Sequence, residues 1–368
     1  MKVLMINSVP TDKNGVTNVI MNLIKNIDHD KLIIDLLCIN EPQREYKEIV
    51  ELQGGKIIKL KRSIKHPFLY IYQLKNIIKN EHYAIVHAHG NSHSLALEMV
   101  AAKMAGCKVR ISHSHSTFCR YRLIHLLMSP FFFASCTYGI ACGINAGKWM
   151  FGKKQYLVIN NGIDLERFRF DREVRKRIRD DLGIADNVLL IGHVGDFNTD
   201  NKNQKFAIEV AEKLHSINNR FHFLMIGDGN LRKEYEKKIK LLEEDYYIHF
   251  VGLIDNVNEY LSAFDLFILP SMFEGLPLSG IEAQAAGLVC LVSDKITKAV
   301  DITGNVQFLS IDNGITEWVE QICKRTYEDR DSMSKRACES ISKNGFNINE
   351  ESRKLKRIYM DLYKRANI

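Results

Sequence analysis

The stretch Leu266-Phe-Ile-Leu-Pro-Ser-Met-Phe-Glu-Gly-Leu-Pro-Leu-Ser-Gly-Ile-Glu-Ala-Gln-Ala-Ala286 joins a four-residue apolar run to a helix-forming run through a loop punctuated by Pro270, Gly275 and Pro277. Leu266–Leu269 fits a buried strand, Gly275 allows an unusual backbone conformation, and Pro277 suits the first turn of a helix. Leu276 closes the loop, and the N–H groups that begin the helix, around Leu278 and Ser279, form a ready anion site. Glu274 then lies in the loop and Glu282 about one turn into the helix. Taken singly, Glu274 reads as a capping acid and Glu282 as a solvated helix residue. Strand, loop and helix in that order are the repeating unit of a parallel α/β sheet, which holds ligands outside the carboxyl ends of its strands.

Outward from this stretch the same rhythm recurs. In the first half the spacing predicts strands at Lys2–Ile6, Leu32–Ile39, Lys56–Leu60, Ala84–Ala88, Val109–Ser112, Tyr138–Ala141 and Tyr156–Ile159. Between the first two, Val16, Val19, Ile20, Leu23 and Ile27 form a stripe at helical spacing. A charged, helix-prone run from Asp171 to Leu182 separates this half from the next. Further strands are expected at Val188–Val194, Phe221–Ile226, Ile248–Val251, Leu266–Leu269 and Val289–Val292. They alternate with helices at Gln204–Ile217, Leu231–Leu242, Val257–Ala263 and Leu278–Ala286. Two Rossmann-like domains facing one interdomain cleft are implied, over residues 1–170 and 171–345. A C-terminal helix follows over 346–368, with Ile358, Met360 and Leu362 as its main apolar residues and the option of crossing back to the first domain.

The 368 residues are 46% hydrophobic and 26% charged, with 6 Pro and 22 Gly, which excludes disordered and collagen-like chains. The 51 Lys+Arg against 44 Asp+Glu leave a net charge of +7, mixed in sign along the chain. That permits an anionic ligand, and no zinc-finger, helix-turn-helix or RNP signature points to nucleic acid. Eight scattered cysteines without C-x-x-C spacing read as reduced core thiols. The apolar run Val3–Ile6 is too short for a signal peptide, and Leu123 to Ile144, though free of Asp, Glu, Lys and Arg, is broken by Pro130, Gly139 and Gly143. A buried helix followed by a strand is expected there, in a cytoplasmic chain.

Lys202 follows the strand Val188–Val194 in a loop rich in Asn and Asp, where a solvated lysine is equally at home. Gly15 follows the first strand at the head of the helical stripe, preceded by Asn14. Gly227-Asp-Gly229 opens a helix after Phe221–Ile226; without a third glycine it is weak evidence for a dinucleotide and compatible with a plain tight turn. His87 and His89 share one face of a strand, as do His113 and His115 if theirs continues. No carboxylate or cysteine stands beside them at ligand spacing, so no metal is expected.

Glu274 and Glu282, eight positions apart, resemble the E-x7-E element of retaining GT-B-fold glycosyltransferases of family GT4. Glu274-Gly-Leu-Pro-Leu-x-x-Ile-Glu-Ala-Gln-Ala-Ala-Gly287 is especially similar to the bacterial exopolysaccharide and capsule branch. Ile85-Val-His-Ala-His-Gly90, Arg110-Ile-Ser-His-Ser-His115, Asn160-Asn-Gly-Ile-Asp-Leu-Glu-Arg-Phe168 and Ile191-Gly-His-Val-Gly195 agree in order and spacing, so the likeness runs from residue 1 to about 345.

This resemblance implies transfer of a sugar from a nucleotide diphosphate donor, UDP-linked by expectation, with configuration retained and neither metal nor cofactor. By the same likeness Glu274 contacts donor sugar hydroxyls, Glu282 the ribose, and the backbone of Gly275, Leu276, Pro277, Leu278 and Ser279 the phosphates. Lys202 matches the diphosphate-binding lysine, and His115 the histidine near the transferred sugar. Gly15 gives a second phosphate approach where the family has two adjacent glycines, and Gly227 and Gly229 lie near the nucleotide. His113, His87 and His89 are left to the fold.

Asp196 departs from the pattern, since the family normally places a base there to pair with the diphosphate. Two like charges about 4 Å apart repel by roughly 4 kcal/mol at an effective dielectric near 20, about a thousandfold in affinity. The acid turns away, weakens donor binding, or marks a homologue that serves as a binding or partner subunit. A nucleotide-sugar epimerase of similar architecture fits the Glu274/Glu282 segment less well.

For the acceptor, a glycan or lipid-linked saccharide, two clusters stand out. Lys56, Lys59, Lys61, Arg62 and Lys65 mingle with Ile57, Ile58, Leu60, Ile64 and Phe68, while Arg120, Tyr121 and Arg122 precede Leu126-Leu127-Met128. Both suit peripheral contact with the inner face of an anionic membrane, and equally the solvated edges of a strand and a helix.

Overall fold

In the computed structural model, which describes all residues except 13, 64–65, 245, 325–327 and 367–368, the apolar runs are parallel strands covered on both faces. The chain divides into two compact units, Met1–Gly162 with Gly345–Ile368, and Ile163–Asn344.

The first unit holds β1 (Lys2–Asn7), β2 (Ile33–Cys38), β3 (Ile57–Lys59), β4 (Ile85–Gly90), β5 (Val109–Ser114), β6 (Tyr138–Ala141) and β7 (Leu157–Val158). They form one parallel sheet in the order β3-β2-β1-β4-β5-β6-β7. The second unit holds β8 (Leu189–Val194), β9 (Phe221–Ile226), β10 (Ile248–Gly252), β11 (Leu266–Leu269), β12 (Cys290–Ser293) and β13 (Val306–Leu309), in the order β10-β9-β8-β11-β12-β13. Leu4, Met5 and Ile6, like Leu266 to Leu269, are shielded on both sides, as continuous hydrophobic strands of a helix-covered parallel sheet must be. The strand order reverses between β1 and β4 in one sheet and between β8 and β11 in the other, and such a switch point is where this architecture holds ligands.

Some expectations change. The first unit ends at Gly162, not at 170, because the short helix Leu165–Phe168 packs on the helices Val257–Ala263 and Leu278–Ala285 of the second unit. The C-terminal helix, Ile348–Ala366, belongs to the first unit, where Ile348, Leu355, Tyr359 and Leu362 join the core of Val3 and Met5. Ile358 and Met360 are only partly covered. The edge strand β13 carries an exposed Gln307 and gives no apolar run to read.

The helix expected to be buried, Arg122–Ser135, contains Pro130 and is followed by β6 as foreseen, but only His125, Phe132 and Ser135 are fully covered. Cys323 is exposed, against the expectation of core thiols, while Cys38, Cys107, Cys119 and Cys290 are buried; all eight are free. No helix of the described residues is long and apolar enough to cross a membrane.

Candidate functional site

At the switch point of the second unit, β8 and β11 lie side by side, with Ile191 opposite Leu266 and Gly192 opposite Phe267. The loop after β8 ends in a short turn, Asp200–Lys202, and Asn203 takes left-handed geometry (φ 54°, ψ 45°) before the helix Gln204–Ile217. Three hydrogen bonds fasten this loop to the one after β11. Asn201 Nδ2 donates to Phe273 O at 2.7 Å, Met272 N to Asn201 O at 2.8 Å, and Asn203 Nδ2 to Pro270 O at 3.1 Å. They bring Lys202 Nζ to 2.6 Å from Glu274 Oε1, with the side chains 16% and 14% exposed. The contact is an ion pair between two groups 72 positions apart in sequence, both predicted as site residues.

After Glu274, Gly275 is exposed, and a Cβ there would meet nothing within 4 Å. It lies outside the positive-φ region, so the expected unusual backbone conformation is not adopted. Leu276 is half-buried, and Pro277 is the N-cap (φ −74°, ψ 106°), one place earlier than the expected first turn, because the helix starts at Leu278. Leu278 and Ser279 supply the first-turn N–H groups, which have no intrahelical acceptor. Glu282, one turn in, is half-buried, and its carboxylate makes no hydrogen bond or ion pair among the described residues. Desolvation raises its pKa to about 7, against a weaker opposing pull from Arg167.

Gly227 and Gly229 serve close packing. At φ 140° and 154°, their added Cβ atoms would lie 1.9 Å from Gly195 O and 2.3 Å from Phe197 C. Phe197 N donates to Asp228 O at 3.0 Å and Leu231 N to Phe197 O at 2.9 Å, which locks this tripeptide to the Gly195–Asn198 loop. Asp196 is exposed, and its Oδ1 accepts from Asn198 N at 3.2 Å within its own turn.

His193 on β8 was not singled out by sequence. It is fully buried, its Nδ1 is 3.1 Å from Ile268 O, and its Nε2 has no partner. A Cβ on Gly195 would touch both that Nε2 (3.1 Å) and Lys202 Cγ (3.0 Å), so His193 stands beside the lysine stem. Burial lowers its pKa to about 4 and keeps it neutral next to the cation. Its place inside an apolar strand hid it. A depression of about 490 Å³, lined in part by Asn203, Met272 and Lys295, includes neither Lys202 nor Glu274.

In the first unit Gly15 opens the helix Gly15–Asn26 with open space around its Cα, and Asn14 caps the helix from an extended conformation by accepting from Thr17 N at 3.0 Å. His115 lies just past β5, half-buried, with Nε2 at 2.8 Å from His89 Nδ1. Desolvation lowers its pKa to about 4, opposed by Asn161. Although β5 stops at Ser114, the His113 and His115 rings still stack at 4.2 Å. His87, His89 and His113 are fully buried, and burial holds each well below the ordinary histidine range.

Three members of the basic cluster around β3 are spent on pairs, Lys56 with Glu81, Lys59 with Glu41 and Arg62 with the buried Glu98, while Lys61 is exposed. Ile64 and Lys65 lie outside the described residues. On the helix Arg122–Ser135, by contrast, Leu123 (76% exposed), Leu126 (66%), Leu127 (69%) and Phe131 (57%) form one apolar stripe facing solvent. Arg120, Tyr121 and Arg122 are exposed at its start.

Residues 13–167 match the family described as "Glycosyltransferase Family 4", and residues 188–326 the family described as "Glycosyl transferases group 1". The chain is 33% identical over 327 residues, 85% of each chain, to the Bacillus subtilis protein named "Putative glycosyltransferase EpsF". It is 28% identical over 315 residues, 79% of each chain, to an Escherichia coli UDP-Gal:alpha-D-GlcNAc-diphosphoundecaprenol alpha-1,3-galactosyltransferase. The crystal structure of Anabaena Alr3699/HepE in complex with UDP shares the fold, with a TM-score of 0.78 at 16% identity over 98% of this chain and 100% of that one. The chain therefore belongs to glycosyltransferase family 4 and has the two Rossmann-like halves of the GT-B fold.

Proposed function

We propose that the protein moves a sugar from a UDP-linked donor, with retention of configuration and without metal at the diphosphate, to a glycan or lipid-linked saccharide in cell-surface polysaccharide synthesis. The observation that carries this is the Lys202–Glu274 pair at 2.6 Å in front of the helix Leu278–Ala285. A departing nucleoside diphosphate needs positive charge and N–H donors placed beforehand where its own charge develops. Lys202 supplies the charge and the first-turn N–H groups the donors, while Glu274 holds the lysine until the diphosphate replaces it and then accepts from sugar hydroxyls. Glu282 accepts from the ribose, and His115 of the first unit is assigned to the transferred sugar. The Escherichia coli relative named above acts on a diphosphoundecaprenol-linked sugar, which favours a lipid-linked acceptor here too. The exposed stripe of Arg122–Ser135, headed by Arg120 and Arg122, favours the face of an anionic bilayer as the place where such an acceptor is met.

Asp196 supports a second reading, a homologue with weakened donor binding, because an acid stands where the family has a base. Its carboxylate is bonded within its own turn, which favours the active reading.

The test is calorimetric titration with UDP- and GDP-sugars in the presence of chelator, followed by transfer assays. Expected are binding of a UDP-sugar by the wild type and a loss of about 10²–10³ in kcat for Lys202→Ala. Product with inverted configuration would overturn retention. No binding by the wild type, with binding gained in Asp196→Arg, would favour the second reading.

A further inference from the structure

The first unit carries a cluster of imidazoles that the transfer chemistry does not use. His87 and His89 project from one face of β4, and the register sets His113 of β5 opposite His89. One ring nitrogen from each of these three residues can be chosen so that all lie within 4.8 Å of one another.

The hydrogen bonds divide the nitrogens in a telling way. His87 Nδ1 is 2.6 Å from Tyr359 Oη, and His89 Nδ1 is 2.8 Å from His115 Nε2. The opposite nitrogens, Nε2 of both rings, are buried without a partner, and both nitrogens of His113 are likewise bare. In His87 and His89, one nitrogen oriented by an outer partner and the other left bare is the arrangement of a metal-ligating histidine, while His113 offers either nitrogen.

We propose that His87, His89 and His113 form a three-nitrogen site for a divalent first-row transition ion, of which zinc is the type. Imidazole sets of this kind suit zinc, copper and nickel, and three protein ligands leave a fourth position for water or an anion. Zinc–nitrogen bonds of about 2.0–2.1 Å require the nitrogens, now within 4.8 Å, to draw in to about 3.4 Å of each other when the ion binds. An ion on His89 Nε2 leaves that ring's proton on Nδ1, where it donates to His115 Nε2. The His115 proton then sits on its own Nδ1. The ion would thus fix the tautomer of the histidine assigned to the sugar, a consequence that rests on the proposed function; the binding of the ion does not. Sequence spacing gave no sign of the site because the third ligand arrives through strand register.

The test strips the full-length protein with chelator and titrates it with Co²⁺, read by visible absorption, and with Zn²⁺, read by calorimetry and thermal unfolding. Expected are one ion per chain, an absorption spectrum of nitrogen-ligated tetrahedral cobalt and a raised unfolding midpoint. Binding should be lost in His113→Phe and His87→Gln, and weakened about tenfold in Tyr359→Phe, whose hydroxyl touches no ion. Circular dichroism verifies folding, and two ligand variants are made so that one misfolded protein does not block the result. No ion bound by the wild type would overturn the proposal whatever the variants do. Undiminished binding in a folded ligand variant would overturn it too.

Discussion

Glu282 joins a raised pKa to an unpaired carboxyl group at the head of a helix. Desolvation lifts it from 4.5 to about 7, so the folded state binds more protons than the unfolded state between those values. Its contribution to stability is present below pH 4.5 and is lost as the pH rises through 7. The ribose contact proposed for Glu282 works in the opposite sense, because the acceptor form is the carboxylate. Nucleotide-sugar affinity is expected to fall about tenfold per pH unit below 7, with a proton released on binding, and Glu282→Gln should flatten that dependence. Titrations across the range in buffers of different ionisation enthalpy measure both effects.

Glycines at the site divide on the same residue scale. Gly227→Ala forces a Cβ to 1.9 Å from Gly195 O at φ 140°, for an expected cost of about 2–4 kcal/mol in denaturant unfolding. Gly15→Ala meets open space at a helix start and is expected to change stability by less than about 0.5 kcal/mol. Equal costs for the two would contradict the packing role given to Gly227.

On the scale of elements, the helix Arg122–Ser135 inverts the usual amphipathic logic, since its apolar stripe of Leu123, Leu126, Leu127 and Phe131 faces solvent. The double substitution Leu126→Glu with Leu127→Glu changes side chains that are mostly exposed. It is expected to abolish flotation with anionic vesicles while shifting stability by less than about 0.5 kcal/mol. Retained flotation would remove this helix from the membrane reading. Periodicity made a helix and a strand legible here but not which face is covered, because an apolar run looks alike whether it packs on a sheet or on solvent. The same limit hid that Leu355 and Tyr359 of the C-terminal helix lie in the core while Ile358 packs against it only in part.

Taken whole, the first unit is built from both ends of the chain. Leu355 is fully buried with Val3, Met5 and Ile111, so Leu355→Ala, near the C-terminus, should cost about 2–5 kcal/mol. Hydrogen exchange is expected to place that loss in residues 1–162 with 345–368, leaving 163–344 as protected as before; a uniform loss would argue against two separate cores.

The sequence by itself determined the alternation of strand and helix, the repetition of that pattern, the loops in which Lys202 and Glu274 stand, and the helix that carries Glu282. Apolar runs bounded by Gly and Pro encode local conformation, and the spacing of Glu274 and Glu282 needs no tertiary contact to be seen. Tertiary structure alone decided the rest. Three hydrogen bonds between two loops pair Lys202 with Glu274, a turn of its own occupies Asp196, and strand register gathers His87, His89 and His113. Each of these depends on which strand lies beside which, and neighbours in a parallel sheet are joined only through long crossovers that local sequence does not specify.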